Sequence, residues 1–262
     1  MYTFTLDKPA TLADATKAAA GGAKPLAGGQ TLLASMKLRL SDPGNLVDLG
    51  GVKELAGIRK EGNALVIGAM TRHIDVANSA DVAATIPALT HLASHIGDKQ
   101  VRAMGTMGGS VANNDPAACY PSAVLGLGAT VHTTQRQIAA DDFFQGMFTT
   151  ALEDGELITA ISYPVPKKAA YVKFNQPASR FALIGVFVAQ TDSGVRVAVT
   201  GAGNGVFRHA GLEAALNASF TAQSAASVKV SADDCGADIH ASAAYRANLI
   251  SVLTQRAVAQ LA

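Results

Sequence analysis

This 262-residue sequence has few cysteines, little net charge and no long apolar run. Its two cysteines, Cys119 and Cys235, lie far apart and belong to no CxxC pair, so the chain alone cannot ligate an iron–sulfur cluster or a four-cysteine zinc. A formal net charge of +1 gives no concentrated basic face for a nucleic acid. The longest apolar stretch, residues 182–189, is far shorter than the roughly 18 residues of a membrane helix and suits a buried strand.

Several familiar motifs are also missing. The N-terminal MYTFTLDKP lacks the charged and apolar regions of a secretory signal, so we expect a cytoplasmic protein, or one held peripherally at the inner face of the membrane. No HExxH, GxSxG or GxxxxGK[ST] motif occurs, which leaves metalloprotease, hydrolase and nucleotide-cleaving chemistry without support. The 49% hydrophobic and 16% charged residues nevertheless indicate a globular chain.

Helical and strand patterns alternate along the sequence. A strand, a helix, a strand, a glycine turn, the helical pattern TLLASMKLRL and a third strand occupy about the first fifty residues. A hairpin centred on Gly62, helices within residues 74–96 and two further strands follow. After Pro164 and Pro166 come three strands and two helices, at residues 210–218 and 240–262. We therefore predict an α+β fold with parts at residues 1–52, 53–166 and 167–262.

The first candidate site is PLAGGQTL, residues 25–32, which we call the first glycine segment. A strand meets a helix there through Ala27, Gly28 and Gly29. Without Cβ atoms, main-chain N–H groups can approach a phosphate, and the helix that follows adds its positive N-terminal dipole. A plain tight turn is the alternative, since short glycine motifs often occur by chance.

TMGGSVANND, residues 106–115, is the second glycine segment, and we expect it to be another loop. Thr106 and Ser110 flank its glycine pair with hydroxyl groups. Two such segments without a P-loop lysine suit the diphosphate of a bound dinucleotide rather than a cleaved triphosphate.

Two other patterns carry no site. GAGNG, residues 201–205, has the wrong spacing for a GxGxxG fingerprint and predicts a structural turn. His91 and His95 are four residues apart on a predicted helix, but no HExxH glutamate accompanies them. We interpret both histidines as ordinary helix residues.

AGGQTL and TMGGSVAN, some eighty residues apart, resemble the paired segments that hold the FAD diphosphate in the flavin subunits of molybdenum hydroxylases. The stretches NDPAACYPSAVLGLGATV, TGAGNGVFRHAGLEAAL and AAYRANLISVLTQRA are also similar to that family, so the resemblance spans essentially the whole chain. It implies a two-subdomain FAD-binding fold of the vanillyl-alcohol oxidase type, followed by a small α+β C-terminal domain.

The resemblance also implies which residues contact FAD. Many relatives carry an aspartate where this chain has Cys119, so a hydrogen-bond acceptor for the cofactor is either missing here or replaced by Asp115 or Asn114. Lys173 matches a basic residue that approaches the flavin, with a solvated strand lysine as the alternative. The full set of implied contacts is Pro25, Leu26, Ala27, Gly28, Gly29, Gln30, Thr31, Leu32, Ile96, Thr106, Met107, Gly108, Gly109, Ser110, Asn114, Asp115, Cys119, Ile158 and Lys173.

In function, the resemblance implies an electron relay with no catalytic residue or metal ligand of its own. Electrons would reach FAD from [2Fe-2S] clusters on a small subunit and leave to a quinone or another acceptor, while a large subunit carries the molybdenum cofactor. The complex would be a dimer of heterotrimers.

Carbon monoxide is the leading substrate, with an aldehyde, xanthine or N-heterocycle as alternatives. A self-sufficient flavoenzyme, such as the reductase of cell-wall precursor synthesis, and a non-catalytic nucleotide-binding or assembly protein are the rival hypotheses.

Overall fold

Residues 1–261, which the computed structural model describes, form both helices and strands, and the predicted α+β class is confirmed. The first sheet is parallel, in the order β1-β3-β2, with one helix in each connection. Its elements are β1 (Thr5–Asp7), α1 (Leu12–Ala20), β2 (Lys24–Leu26), α2 (Leu32–Lys37) and β3 (Asn45–Asp48). Short 3-10 turns follow at Leu49–Gly51 and Lys53–Leu55.

Helix α2 is shorter than the helical pattern TLLASMKLRL predicts. It ends at Lys37 because Arg39 adopts a left-handed conformation, with φ of 59°. The N–H of Leu40 then donates to the carbonyl of Ser35 at 2.9 Å, the bond that closes a helix C-terminus of the Schellman type.

The second sheet is antiparallel, in the order β4-β5-β10-β6-β7, and a cluster of helices lies between β5 and β6. The hairpin predicted around Gly62 is confirmed, since Glu61 pairs with Ala64. The elements are β4 (Ile58–Glu61), β5 (Ala64–Gly68), α3 (His73–Ala77), α4 (Ala80–Thr85), α5 (Pro87–Ser94), α6 (Lys99–Met104), α7 (Met107–Asn113), α8 (Tyr120–Gly126), β6 (Thr130–Thr133), β7 (Gln137–Ala139), α9 (Ala140–Phe143), β8 (Phe144–Gly146), β9 (Thr149–Thr150) and β10 (Ile158–Pro164).

The third sheet is antiparallel with its strands in chain order, and helices follow it. Its elements are β11 (Lys168–Asn175), β12 (Ala182–Thr191), β13 (Gly194–Thr200), β14 (Phe207–Arg208), α10 (Ala210–Ala218), α11 (Ala222–Ala226), a 3-10 turn (Ala232–Asp234) and α12 (Ala243–Ala259). The bounds predicted for α10 are confirmed, and GAGNG is a turn after β13 as predicted.

The last helix begins later than the predicted residue 240. Asp238 Oδ1 accepts the N–H groups of His240 and Ala241, which keeps both residues in a turn. The Ser242 side chain then accepts the N–H of Tyr245 and caps α12. Residue 262 of the predicted helix lies outside the described residues.

Hydrophobic packing joins the second sheet to the third. Tyr171 of β11 and Phe187 of β12 are buried in the same core as Leu65 of β5 and Ile161 of β10. A smaller core lies under the first sheet. The first, second and third sheets each fall within one of the three predicted parts, and β8 and β9 form a further two-stranded sheet within the second part. Because of the shared core, the division at residues 52 and 166 stays a prediction.

Candidate cofactor site

The two glycine segments lie against each other. A Cβ placed on Gly28 would stand 2.1 Å from the carbonyl oxygen of Met104 and 2.7 Å from Gly105 Cα. A Cβ placed on Gly109 would stand 3.4 Å from the Ala27 Cβ. The fold therefore brings together two segments that are about eighty residues apart in the sequence.

Main-chain N–H groups of the first glycine segment are free to bind an anion. Within residues 1–261, none of the N–H groups of residues 28–32 has a hydrogen-bond acceptor. Gly29 has φ of +70°, which turns the chain between β2 and α2, and Gln30 Nε2 steadies that turn by donating to the Gly28 carbonyl at 2.9 Å. Consecutive unpaired N–H groups on a glycine turn form a concavity suited to phosphate oxygens.

The expected second loop is instead the first turn of helix α7, so that prediction is wrong. Thr106 caps this helix by accepting the N–H of Gly109 at 3.2 Å. The N–H of Met107 donates to the Thr71 carbonyl at 3.0 Å, and that of Gly108 to the Ala69 carbonyl at 2.8 Å. A good cap and two tertiary bonds thus hold the glycines in a helix despite their low propensity.

Only the exposed side of the second glycine segment, at Gly109 and Ser110, can therefore contact a cofactor. Thr106, Met107 and Gly108 are buried, whereas Gly109 and Ser110 are half-buried. Ser110 Oγ has no hydrogen-bond partner among residues 1–261. This hydroxyl and the unpaired N–H groups of the first segment are neutral donors that fit a diphosphate without lysine.

Ile96 and Lys173, predicted from distant parts of the chain, meet at the end of helix α5. Lys173 Nζ donates to the His95 carbonyl at 2.8 Å. Arg102 Nη1 donates to the Ile96 carbonyl at 2.9 Å. Lys173 is therefore more than a solvated strand lysine, because it fixes the residue next to Ile96. Ile158 lies elsewhere, buried on β10.

Of the two proposed substitutes for the missing aspartate, Asp115 is the more accessible. Asn114 is fully buried with φ of 43°, and its Nδ2 donates to the carbonyls of Gly146 at 2.7 Å and Thr149 at 2.8 Å. Asp115 is half-buried, and one carboxylate oxygen accepts the N–H of Ala117 at 2.8 Å. The Asn114 amide nitrogen is thus bonded to the hairpin β8–β9, whereas its buried Oδ1 acceptor has no partner among the described residues.

Cys119 is buried beside aromatic side chains. Its carbonyl accepts the Ser122 hydroxyl at 2.7 Å. Burial, followed by the neighbouring Cys119 thiol, raises the pKa of Tyr171 well above its usual value. As a direct cofactor contact, Cys119 stays a prediction, and so do the other contacts implied by the resemblance.

The segment that leads to Cys119 is held by the third sheet. Thr200 Oγ1 donates to the Pro116 carbonyl at 2.7 Å, and the N–H of Gly201 donates to the same carbonyl at 2.7 Å. The N–H of Ala182 reaches the Ala117 carbonyl at 3.4 Å. The third sheet therefore fixes one border of the region around the second glycine segment.

Sequence reasoning missed His73, which lies under the junction of α6 and α7. The main-chain N–H of His73 donates to the Gly105 carbonyl at 2.9 Å, and the centroid of its ring lies 5.3 Å from that of the Tyr120 ring. Burial, followed by the charge of Arg102, lowers the pKa of His73 from its usual 6.5 to about 4. A lone histidine in the sequence TRHID gives no signal for such a position, since the residues that it contacts, Gly105 and Tyr120, lie more than thirty residues further along the chain.

Residues 1–261 contain no group of three or more histidine, cysteine, aspartate or glutamate side chains that could hold a metal ion. No helix in the same part of the chain is long and apolar enough to cross a membrane.

A mixed α+β fold with unpaired N–H groups at residues 28–32, next to the second glycine segment, is the arrangement expected of a protein that binds a phosphate-containing cofactor. Residues 2–166 match the family described as the FAD binding domain in molybdopterin dehydrogenase. The chain belongs to this family, that of the FAD-binding medium subunits of molybdenum hydroxylases. The resemblance found in the sequence, its fold class and its FAD cofactor are thereby confirmed.

Relatives and solved structures agree over most of the chain. The carbon monoxide dehydrogenase medium chain of Afipia carboxidovorans is 41% identical, over 73% of this chain and 70% of that protein. The glyceraldehyde dehydrogenase medium chain of Sulfolobus acidocaldarius is 34% identical over 91% and 90% of the two chains. A structure of reconstituted CO dehydrogenase from Oligotropha carboxidovorans is 33% identical, with a TM-score of 0.92 over 98% of this chain and 97% of that chain.

Proposed function

We propose that this FAD-binding medium subunit is the electron relay of a molybdenum hydroxylase complex. FAD would receive electrons from [2Fe-2S] clusters on a small subunit and pass them to a quinone or another acceptor, while a large subunit holds the molybdenum cofactor. The observation that carries this proposal is the run of unpaired N–H groups at residues 28–32, packed against the second glycine segment. Such a run of main-chain donors supports the proposal because it suits the phosphate oxygens of a bound dinucleotide.

Binding and orientation are the tasks of the chain's own residues. Residues 28–32 would hold the diphosphate with main-chain donors, and Ser110 would add a hydroxyl donor. Asp115 would supply a carboxylate acceptor for a cofactor hydroxyl. FAD supplies the redox chemistry, and the protein tunes it through nearby charges and hydrogen bonds. No general acid or base on this chain is required.

Carbon monoxide is the substrate that we favour for the complex, because the carbon monoxide dehydrogenase medium chain of Afipia carboxidovorans is 41% identical. Relatives named for glyceraldehyde, nicotine and caffeine are 30–34% identical, so an aldehyde or N-heterocycle dehydrogenase is the second candidate. Substrate selection would belong to the large subunit. We further propose a dimer of heterotrimers, cytoplasmic or held peripherally at the inner face of the membrane.

Co-expression of the chain with the small and large subunits that the proposal requires tests this function. We expect the three chains to co-purify, FAD to be released stoichiometrically from this chain, and anaerobic addition of the substrate to bleach the flavin absorbance. A complex in which substrate reduces the iron–sulfur clusters but never the flavin would contradict the relay. Flavin reduction by NADPH in this chain alone would instead support a self-sufficient flavoenzyme. A chain without flavin would support a nucleotide-binding or assembly protein.

A further inference from the structure

We propose that His91 and His95, the histidine pair, bind one divalent transition metal ion such as Zn²⁺ on the exposed face of helix α5. Each imidazole supplies one nitrogen ligand, and water completes the coordination. Residues 1–261 contain no group of three or more metal-binding side chains, so the pair would be the only protein ligands. The pair lacks the glutamate of an HExxH motif and does not imply metalloprotease chemistry. This site does not depend on the proposed electron relay.

The histidine pair lies on the face of helix α5 that points away from the core. The helix runs from Pro87 to Ser94 and ends at His95. Both histidines are exposed, and they are four residues apart, so they are neighbours on one helix face. The opposite face packs into the core through residues that are almost fully buried: Ala88, Leu89, Leu92 and Ala93. An ion can therefore reach both rings from solvent without any change in the core.

The two imidazole rings are close enough to share one ion. The centroids of the His91 and His95 rings lie 4.2 Å apart, and their planes are inclined by 38°. Histidine nitrogens bind Zn²⁺ at about 2 Å, so two such ligands of a tetrahedral ion stand roughly 3.3 Å apart. Small rotations of the two side chains are enough to give this spacing, so little conformational freedom is lost on binding.

A hydrogen bond within the pair prepares His95 as a ligand. His95 Nδ1 lies 2.8 Å from the main-chain carbonyl oxygen of His91. A carbonyl oxygen can only accept, so Nδ1 carries the proton and Nε2 of the neutral ring keeps its lone pair. Ser94 Oγ donates to the same carbonyl at 2.7 Å and lies 3.0 Å from Nδ1. Metal-binding histidines typically donate their other ring N–H to an acceptor of this kind, which fixes the tautomer and the ring orientation.

No other group in the described part of the chain competes for the ligand nitrogens. His91 has no side-chain hydrogen bond, and neither histidine forms an ion pair with a carboxylate, within residues 1–261. The C-terminal end of a helix also carries partial negative charge, which favours a cation. Lys173 already donates to the His95 carbonyl at 2.8 Å, and its positive charge opposes a second cation. Chelation by two imidazoles must outweigh this repulsion.

A bound ion would hold the last turn of helix α5 in place. His91 and His95 can share one ion only while the helix continues through residue 95. The unfolded chain does not keep the two rings together, so binding of the ion favours the folded chain.

Calorimetric titration of the flavin-free full-length chain with Zn²⁺ tests the site. We expect one ion to bind the wild type, and His91→Gln or His95→Gln to weaken that binding by about 100-fold, the usual advantage of a second linked contact. His240→Gln is the matched control, because His240 is an exposed histidine outside the pair, and it should bind Zn²⁺ like the wild type. At one hundred times its Kd, Zn²⁺ should raise the melting temperature of the wild type by roughly 5–10 °C.

Nuclear magnetic resonance of the histidine ring nitrogens separates direct binding from an indirect effect of the substitutions. In the wild type, Zn²⁺ should shift the signals of both His91 and His95 and leave those of His240 in place. A wild type that binds no Zn²⁺ would overturn the site. So would equal Zn²⁺ affinity in the wild type, His91→Gln and His95→Gln, because the ion would then bind elsewhere, for example at Cys235. None of these results bears on FAD binding or on the electron relay.

Discussion

At the residue scale, Gly28 contributes to the site by having no side chain. The Met104 carbonyl and Gly105 occupy the space that a Cβ would need. This close approach is what brings the unpaired N–H groups of the first glycine segment beside helix α7.

Gly28→Ala should destabilise the protein by about 1–3 kcal/mol, the usual cost of overpacking, and should abolish retention of FAD. The added methyl group cannot stay 2.1 Å from a carbonyl oxygen, so the two glycine segments must separate. Urea unfolding and the ratio of flavin to protein absorbance measure the two effects. Gly203→Ala is the control, because its nearest neighbour would be 3.6 Å from the new Cβ. Equal FAD content in both variants would contradict the close packing.

His73 makes the stability of the protein depend on pH. Its folded-state pKa of about 4 lies below the usual 6.5, so below pH 6.5 the unfolded chain binds a proton that the folded chain does not. Stability is therefore lost as the pH falls from 6.5 towards 4. Between pH 7.5 and pH 5 we expect a loss of about 2 kcal/mol from this residue.

Urea unfolding of the wild type and His73→Gln at several pH values isolates this contribution. His73→Gln lowers stability at every pH, but its stability should decline less steeply below pH 6.5. Parallel pH profiles for the two proteins would show that the His73 imidazole takes up its proton equally in both states.

At the element scale, one buried arginine joins the last helix to the ends of two strands. Arg246 of α12 donates to the carbonyls of Leu183 at 2.9 Å and Gly201 at 2.6 Å, and it pairs with Asp238 at 2.6 Å. Its side chain is only 7% exposed. Gly201 in turn holds the Pro116 carbonyl, so this link reaches the border of the cofactor site.

Arg246→Met should lower the free energy of unfolding by about 2–4 kcal/mol, because two carbonyls lose their donor and a carboxylate loses its counter-ion. Arg256→Met on the same helix is the control, since Arg256 is exposed and forms no ion pair within residues 1–261. Urea unfolding measures both variants. Equal stabilities would mean that water replaces the bonds of Arg246.

Elements with strong local signals could be predicted from the sequence. Helix α10 and the hairpin at Gly62 have the expected bounds, since their caps and turn residues lie within the elements themselves. Helix α7 could not be recognised, because the partners that fix its first turn are the carbonyls of Thr71 and Ala69, which accept the N–H groups of Met107 and Gly108 from nearly forty residues away. The short helix α11 also went unpredicted.

The candidate site likewise contains features that the sequence predicts and features that depend on distant partners. The glycine pairs were visible as motifs, and their contact is seen in the structure. The acceptors of the hydrogen bonds from Lys173 and Arg102 are main-chain carbonyls, which every residue has, so no sequence pattern marks them. His73 was missed for the same reason.

At the scale of the whole molecule, the cofactor should bind between parts of the chain that are far apart in sequence and so stabilise the folded state. FAD at one hundred times its Kd should stabilise the chain by about 2.7 kcal/mol. For a protein of this size that corresponds to a rise in melting temperature of roughly 5–10 °C.

Thermal unfolding of the flavin-free full-length chain, with increasing FAD, measures this rise. FMN has one phosphate group and should give a smaller shift at the same concentration, because part of the donor run at residues 28–32 stays unused. Equal shifts with FAD and FMN would argue against a diphosphate site there.

The contact between the third sheet and residues 116–118 has an evolutionary consequence. Thr200 and Gly201 bind the main-chain carbonyl of Pro116, and Ala182 binds that of Ala117. A main-chain carbonyl is present whatever amino acid occupies the position, so substitutions in residues 116–118 can accumulate while the docking geometry is inherited. Contacts of this kind, which need no particular side chain at residues 116–118, are one physical reason why chains only 33% identical can keep a TM-score of 0.92.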